Sequence, residues 1–300
     1  MQAKLTPTAA LLLAVPPLMW AGNAVVGRLV SPLASPLALN FLRWAIGFVL
    51  LLPLAGAVLR PSSPIWPHWR RFFVLGLLSV GSYNALLYLA LNTSTALNVT
   101  LVGSSTPVWM LLIGRLFFRA PASRNQLLGA FLSISGVLVV LCRGQLDLLM
   151  QMRWVAGDLY MLVAAAGWAY YSWMLAHPTT EPPAIRSDWS AFLLAQVTFG
   201  LTGSGVFAGA EWALGQSHFD WSWPLAAALL FIAVGPGLVA FRAWGAGVAR
   251  AGPTAAGFFA NLTPLFTALL SSAFLGETPH LYHVLAFLLI MGGIVVSSRR

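Results

Sequence analysis

Long runs without a charged residue recur along nearly the whole 300-residue chain, and they limit the chain to one kind of solvent. With 59% hydrophobic and only 8% charged residues, it cannot cover a water-facing surface with polar groups. A membrane-spanning helix needs about 20 apolar residues, which is close to the length of most runs. The sequence therefore predicts an all-α integral membrane protein. The runs are residues 5–27, 44–59, 72–114, 125–142, 159–180, 189–210, 221–241, 251–276 and 281–298.

The nine runs predict ten helices, because one run is long enough for two helices and another extends past a charged residue. The run 72–114 is long enough for two helices, with a polar break between Asn92 and Thr95. The run 44–59 extends back to residue 36 as the second helix of the chain, in which Arg43 is the one charged residue. The first run is longer than the apolar core of a typical signal peptide and carries one lysine, so we predict that it is the first helix. The single Cys142 excludes an intramolecular disulfide and a multi-cysteine metal site, and no cofactor is predicted.

The formal charge of +9 would suggest nucleic acid as a partner if this were a soluble protein. Its distribution predicts a membrane orientation instead, because basic residues collect in cytoplasmic loops. With a cytoplasmic N-terminus, twelve basic residues lie inside or at inner helix ends and four outside. We therefore expect both termini in the cytoplasm and no nucleic-acid partner. The four outer residues are Arg28, Arg43, Arg143 and Arg153.

A Thr-Pro pair occurs twice in similar apolar surroundings, in GSSTPVWMLL (103–112) and ANLTPLFTALL (260–270). An offset of 157 residues places Pro107 on Pro264, and an offset of 148 places Trp20-Ala21 on Trp168-Ala169. The chain thus divides into related halves, residues 5–145 and 155–298, with five predicted helices each. Because five is odd, the second half must enter the membrane from the opposite side, which predicts an inverted repeat.

The loop charges agree with an inverted repeat, since equivalent loops then face opposite compartments. The turn FRAPASRN (118–125) contains two arginines, Arg119 and Arg124, whereas the aligned LGETPHLY (275–282) contains none and carries Glu277. Equivalent loops on one side of the membrane would be expected to carry similar charge.

These features together resemble the EamA-type drug/metabolite transporters. The shared motifs are Trp-Ala in the first helix of each half, FLRW (41–44), the small-residue stretch before the first Thr-Pro, LGE (275–277) and Gly292-Gly293. The chain departs from the pattern at Ala120, where many relatives carry an acid matching Glu277. The resemblance implies two inverted five-helix repeats in a bacterial inner membrane. Within the family the chain is most similar to the YddG exporters, which implies export of aromatic amino acids.

The two prolines are predicted to lie near the middle of the fourth helix (about 95–118) and the ninth (about 254–274). Each removes the helical donor of the carbonyl four residues earlier, on Gly103 and Ala260. An unsatisfied carbonyl in hydrocarbon costs on the order of several kcal/mol, so it must face protein or a water-lined cavity. Pro107 and Pro264 therefore indicate either a cavity wall with gating kinks or simple packing kinks.

Polar and aromatic residues recur at helical spacing and predict a substrate pathway. In the first helix Trp20 and Asn23 follow such a stripe, and Trp168 and Tyr171 repeat it. Intramembrane polar groups turn away from lipid, so these stripes should face one another. The alternative for each residue is a helix–helix hydrogen bond or an interfacial aromatic. The full predicted set is Trp20, Asn23, Tyr83, Asn84, Tyr88, Asn98, Ser105, Trp109, Trp168, Tyr171 and Asn261.

Several chemistries lack their residues in this sequence. Its one lysine, Lys4, rules out a P-loop, and there is no His-x-x-x-His or Gly-x-Ser-x-Gly motif. All seven acids fall in loops or at predicted helix ends, so no obvious carboxylate is available for proton or sodium coupling at mid-membrane. We expect a protein that is not an enzyme and transports without proton coupling.

Arg43 is the exceptional charge, a few residues inside the second helix. It either reaches back to the membrane interface or holds a substrate carboxylate. The predicted function is export of small amphipathic metabolites, with aromatic amino acids the best fit, as the two halves rock in alternating access. The alternatives are a broad exporter of drugs or other amino acids and, third, an intramembrane enzyme. The predicted partners are this small molecule and membrane lipid.

Overall fold

The computed structural model describes residues 5–94, 96–145, 147, 155–179, 181–275 and 280–299, and these residues form helices joined by turns. One isolated antiparallel bridge pairs Ala34 with Phe219. The first half contains α1 (Pro7–Val30), α2 (Pro36–Ala55) with a 3-10 turn (Gly56–Leu59), α3 (Trp69–Gly76), a π-helical segment (Leu77–Gly81), α4 (Tyr83–Thr93), α5 (Ala96–Gly103), α6 (Thr106–Phe117) and α7 (Arg124–Leu141).

The second half follows a similar order. It contains α8 (Ala156–Ala176), the short α9 (Pro183–Ser187), α10 (Trp189–Ala213), α11 (Trp223–Ile232), a second π-helical segment (Ala233–Val239), α12 (Ala240–Ala260), α13 (Leu262–Leu275) and α14 (Leu281–Ser298).

Local sequence determines where several of these helices begin. The Thr6 hydroxyl accepts the backbone N–H of Ala9 before Pro7 opens α1, and proline is well placed there because that N–H has no helical partner. At α7, Ser123 and Gln126 form a reciprocal capping box.

Eight helical stretches of the described chain are long and apolar enough to cross a membrane. They include the 38-residue run Trp223–Ala260, and the shorter apolar helix Leu262–Phe274 stands apart from the eight. The all-helical membrane architecture predicted from sequence is confirmed, whereas the number ten stays a prediction.

The 38-residue run is not one continuous rod, because Gly252 breaks it. This residue has φ 84° and ψ 159°, which lies outside the helical region. A positive φ of this kind favours glycine. Pro253 follows and can begin a new helical turn. Residues 253–260 therefore lead into α13 as a broken helix, close to where the sequence predicts the ninth helix.

Helices of one half pack mainly against helices of the other half. α1 lies against α12 and α13, and α8 lies against α4 and α6. α2 packs along α10, and α7 packs along α14. The chain halves are therefore interleaved, and neither half forms a separate body.

The contact between α7 and α14 depends on glycine. A methyl group added at Gly293 would lie 2.6 Å from the carbonyl oxygen of Gly129, and one added at Gly129 would lie 2.7 Å from that of Gly293. Backbones approach this closely in membranes through small residues, because dispersion contacts replace the hydrophobic driving force. The neighbouring Gly292 has no atom within 4 Å of such a methyl group.

These two adjacent glycines give a matched pair of variants. We expect Gly293→Ala to destabilise the protein by about 1–3 kcal/mol through overpacking, whereas Gly292→Ala should be neutral or stabilising by up to about 1 kcal/mol through helix propensity. The buried Cys142 thiol reports unfolding when a thiol-reactive fluorescent dye is present during a thermal ramp. Equal melting temperatures for the two variants would contradict close backbone packing at Gly293.

Candidate functional site

Six aromatic side chains from four helices meet inside the bundle, and we call them the aromatic cluster. Trp168 of α8 lies at its centre, with ring centroids 5.4 Å from Trp20 of α1 and 5.4 Å from Tyr83 of α4. The Trp20 ring meets Trp168 edge-on at 83°, an arrangement worth about 0.5–1.5 kcal/mol beyond the buried area. The cluster consists of Trp20, Tyr83, Trp168, Tyr171, Phe241 and Trp244.

Two members of the cluster were not predicted from sequence. Phe241 and Trp244 of α12 are buried and contact Trp168 at 5.7 and 5.4 Å. Their spacing of three residues places them on one helix face, which is a signal that the sequence does contain. The Trp244 indole N–H donates to the Ser172 hydroxyl at 3.1 Å, which fixes its ring.

Arg43 lies beside the aromatic cluster and is 4% exposed, so its guanidinium does not reach the surface. Its Nη1 donates to Asn23 Oδ1 of α1 at 3.5 Å, and its guanidinium carbon lies 5.1 Å from the Trp44 ring centroid. Trp44 in turn contacts Phe241 edge-on at 4.9 Å. The Tyr88 side chain of α4 also lies near Arg43. A buried cation is thereby joined to the cluster through one ring.

Three predicted polar residues use their side chains within the protein. Asn84 donates to Asn40 Oδ1 at 3.3 Å, and Asn261 donates to the Ser133 hydroxyl at 2.9 Å. The Ser105 hydroxyl donates to the Val102 carbonyl at 2.5 Å. Asn261 therefore links α12 and α13 to α7.

The remaining predicted residues either lie apart from the aromatic cluster or fall outside the part of the chain that the structure describes. Trp109 of α6 is half-buried against the core, and within the described chain it makes no ring contact with the aromatic cluster. The side chain of Asn98 lies outside the described residues, as do Glu277 and its loop.

Both Thr-Pro pairs mark complete helix breaks. α5 ends at Gly103 and α6 starts at Thr106, while α12 ends at Ala260 and α13 starts at Leu262. Pro107 is buried and Pro264 half-buried.

The carbonyls that the prolines deprive of a donor are nevertheless bonded. The Thr106 hydroxyl donates to the Gly103 carbonyl at 2.6 Å, and the Thr263 hydroxyl donates to the Ala260 carbonyl at 2.8 Å. The preceding threonine thus supplies the hydrogen bond that each proline removes, so neither carbonyl requires a water-lined cavity. Whether the two prolines act as gating kinks or as packing kinks stays a prediction.

A second kind of helix irregularity also occurs once in each half. The offset of 157 residues that aligns the prolines places 77–81 on 234–238, inside the second π-helical segment. The second segment contains Pro236, and the first contains no proline. Such segments frequently lie at functional sites because they change which side chains face inward.

The threonine hydroxyls at the breaks can be tested by an isosteric change. Thr106→Val and Thr263→Val should each destabilise the protein by about 1–3 kcal/mol, because a buried carbonyl loses its donor. Thr202→Val is the control, since its exposed hydroxyl donates to the Phe199 carbonyl within the continuous helix α10. Thermal unfolding followed through Cys142 measures all three. Equal losses in the three variants would mean that the proline breaks do not depend on these hydroxyls.

One end of the bundle is held by an ion-pair network between the two halves. Glu181, whose side chain is fully buried, accepts a hydrogen bond from Arg71 Nε at 3.0 Å and lies 3.6 Å from Arg186 Nη1. Arg71 of α3 also donates to the carbonyls of Met174 and His177, where α8 ends. We call this the Arg71 end.

The opposite end of α10 carries a different carboxylate contact, which defines the Glu211 end. Glu211 accepts hydrogen bonds from the Ser35 hydroxyl at 2.6 Å and from the backbone N–H groups of Leu37 and Ala38. These are unpaired amides at the start of α2, where the helix dipole favours an anion. Nearby, Ser35 N–H donates to the His218 carbonyl at 3.0 Å. Contacts between the two halves are therefore present near both ends of α10.

The Glu181 network predicts a pH-dependent stability. Burial alone would raise the pKa of Glu181, but hydrogen bonds from the backbone N–H groups of Glu181 and Thr179, with the charge and hydrogen bond of Arg71, hold it below its usual range. Its stabilisation is therefore complete above the unfolded value near 4.5 and is lost as pH falls through the lower folded pKa.

The corresponding variant is Glu181→Gln. We expect it to be less stable than wild type by about 1–3 kcal/mol at pH 7, because the arginines lose their ionised acceptor. The difference between the two proteins should shrink as pH falls below about 4.5. The exposed Asp220→Asn serves as control, and unfolding is followed by circular dichroism, because the thiol–dye reaction needs the thiolate and fails in acid. A difference that is independent of pH would refute the role of the ionised carboxylate.

Comparison with known proteins gives one family and two curated relatives. The sequence model of the EamA-like transporter family matches twice, over residues 7–142 and 155–299. An uncharacterized transporter of Archaeoglobus fulgidus is 24% identical over 290 residues, covering 97% of both chains. The uncharacterized transporter YyaM of Bacillus subtilis is 22% identical, covering 76% of this chain and 72% of its own.

A solved crystal structure of a protein has the same fold. It aligns with a TM-score of 0.74 at 19% identity, covering 97% of this chain and 96% of its own. At this identity the likeness concerns the fold alone.

Proposed function

This chain belongs to the EamA-like transporter family, and from that premise we propose that it exports small aromatic solutes, with aromatic amino acids the best fit, by alternating access. It is a multi-pass membrane protein and a transporter of the EamA type. Family membership also agrees with a protein that is not an enzyme. The proposal adds the solute, the direction and the mechanism.

The aromatic cluster is the observation that carries this proposal. Its residues come from α1 and α4 of the first half and from α8 and α12 of the second. Trp20 and Trp168, which the internal repeat aligns, are in direct ring contact at 5.4 Å. Trp20 and Tyr83 remain partly exposed although they pack against a buried core. Aromatic faces and edges of this kind suit the ring of an aromatic solute.

We propose that the two halves are inverted repeats. Support comes from the double match of the family sequence model and from the two kinds of helix irregularity at equivalent positions. The packing supports it as well: exchanging equivalent helices converts the contact of α1 with α12 into that of α8 with α4. Inverted repeats place a solute site at their interface near the membrane midplane.

The orientation is proposed from charge, with both termini in the cytoplasm of a bacterium and the protein in its inner membrane. The Arg71 end then faces the cytoplasm, and the Glu211 end faces outward. Alternating access would release the Glu181 network on one side and the Glu211 contacts on the other.

The interleaved packing changes the predicted motion. Because helices of each half pack mostly on the other half, the packing favours a motion in which the two sequence halves do not rock as separate bodies. We propose that mixed groups move instead, α1 with α12 and α13 in one group, and α8 with α4 and α6 in the other.

Two further features bear on selectivity and coupling. The amides of Asn84 and Asn261 are engaged within the protein, which favours looser recognition and keeps a broad exporter of amphipathic drugs or other amino acids as the second candidate.

In the described chain the acids lie in loops or at helix ends, as with Asp158 and Glu211. We therefore propose transport down the solute's own gradient without proton coupling.

Flux in liposomes tests the proposal. Purified protein should exchange labelled phenylalanine or tryptophan across the membrane, and a pH gradient with the potential clamped should not concentrate the solute. Trp20→Ala and Trp168→Ala should each reduce the exchange about 3- to 10-fold, as expected for losing one aromatic contact. Trp223→Ala is the matched control, because that side chain is 82% exposed.

Three outcomes would count against this function. Absence of exchange with any aromatic solute would reject it, and equal exchange of many unrelated amphipathic solutes would favour the broad exporter. Accumulation driven by pH would reject the uncoupled mechanism.

A further inference from the structure

Arg43 is a buried charge with no counter-charge among the residues that the structure describes, and this calls for a physical reason. Its Nε is buried and has no hydrogen-bond partner. Its one side-chain hydrogen bond, to Asn23, is at the 3.5 Å limit, and the Trp44 ring adds a cation–π contact. Neither contact offsets the desolvation of a guanidinium, which ordinarily requires an ionised or multiply hydrogen-bonded partner.

No carboxylate of the described chain serves Arg43. Glu211 is used by Ser35 and the start of α2, Glu181 by Arg71 and Arg186, and Asp158 by Ser94 and the Val155 N–H. On the elements around Arg43, the nearby polar groups are the Asn23 amide and the phenol of Tyr88, both neutral. The described residues therefore supply no charge balance for Arg43.

The surroundings of Arg43 define what kind of anion would fit. Asn23 follows Trp20 by three residues on α1, so the guanidinium lies about one helical turn, roughly 5 Å, beyond the cluster toward the Glu211 end. Trp44 and Phe241 connect the two with ring contacts. This separation is comparable to that between the ring and the carboxylate of an aromatic amino acid.

An ammonium group finds no equivalent partner there. The oxygens near Arg43 are those of a neutral amide and a neutral phenol, and no anion of the described chain lies beside them. The site therefore distinguishes the two charged ends of an amino acid.

We infer that Arg43 binds the carboxylate of the transported solute and that the amino group is not required. The solute class is then small aromatic carboxylates, which includes aromatic amino acids and their 2-hydroxy and 2-oxo analogues and excludes aromatic amines. The inference rests on the proposed function for passage through the membrane, but binding of the carboxylate can be measured without transport.

Competition experiments separate the chemical groups. In liposomes exchanging labelled phenylalanine, phenyllactate should compete within about 3-fold of phenylalanine, whereas phenethylamine and phenylalaninamide should compete at least about 10-fold more weakly. Arg43→Gln should raise the half-saturating concentration of phenylalanine about 10- to 100-fold and abolish the preference over the amide. Arg43→Lys should give an intermediate result, because it keeps the charge without the planar fork.

Asn23→Asp provides a variant that should fold well. The new carboxylate would lie against Arg43 Nη1 and occupy the guanidinium internally, so the melting temperature should rise while phenyllactate binding is lost. Asn125→Asp is the matched control, because it adds the same charge at the start of α7, where the Asn125 amide bonds the Arg299 carbonyl. Binding is read in detergent as the shift in Cys142-monitored melting caused by phenyllactate or phenethylamine.

The outcomes separate this inference from the proposed function. If phenyllactate stabilises wild type but neither Arg43→Gln nor Asn23→Asp, and no aromatic solute is exchanged, the inference holds and the function fails. If exchange occurs but phenethylamine competes as well as phenyllactate, the inference fails and the function stands. Equal weakening of carboxylate and amide in Arg43→Gln would also overturn it, since that result describes a structural arginine.

Discussion

The requirement that every backbone polar group in hydrocarbon find a partner inside the protein governs this structure. A continuous helix meets it automatically, so each break needs its own donor. At both prolines the donor is the hydroxyl of the preceding threonine, which bonds the carbonyl three residues before it. A Thr-Pro pair therefore breaks a helix without leaving a carbonyl unsatisfied. Proline removes the backbone donor, and the threonine hydroxyl replaces it. This explains how the chain breaks equivalent helices twice without exposing backbone to lipid.

The hydrocarbon surroundings also explain which contacts hold the interleaved halves together. Since lipid tails are as apolar as leucine, helices associate by close packing and by polar contacts rather than by exclusion of water. The glycines that join α7 and α14 provide the first kind of contact. Glu181 and Glu211 provide the second, each accepting donors from the other half at one end of α10. The contacts of Glu181 and Glu211 are few and polar, so these side chains can change hydrogen-bond partners. The packing of α7 on α14 at the glycines has no such freedom, because a shift of either helix would bring a larger side chain against the other backbone.

Sequence reasoning predicted the all-helical membrane fold because hydrophobic length is a strong signal, and it identified both Thr-Pro positions. Trp20, Tyr83, Trp168 and Tyr171 were predicted from helical spacing and lie together in the aromatic cluster. Phe241 and Trp244 were missed because apolar spacing alone does not distinguish a cluster from ordinary core. The partners of Asn84 and Asn261 could not be predicted, since Asn40 and Ser133 lie on other helices whose relative rotation depends on packing. The two π-helical segments were missed as well, because the first contains no residue that requires one.

The difference between the two halves is as informative as their likeness. The proposed inverted repeat would give the pathway the same framework from either side, which suits alternating access but does not orient a solute. Arg43 has no basic counterpart in α10, which packs along α2 and contains neither lysine nor arginine. Among the described residues, the buried Arg43 guanidinium on the Glu211 side of the aromatic cluster would give the proposed pathway two different ends. A solute that is aromatic at one end and anionic at the other would therefore enter with one orientation, its anionic end toward the Glu211 end. In the proposed pathway the aromatic faces would contribute binding that depends mainly on shape, and the guanidinium would contribute binding that depends on charge. Selection between solutes of similar shape would then depend on Arg43.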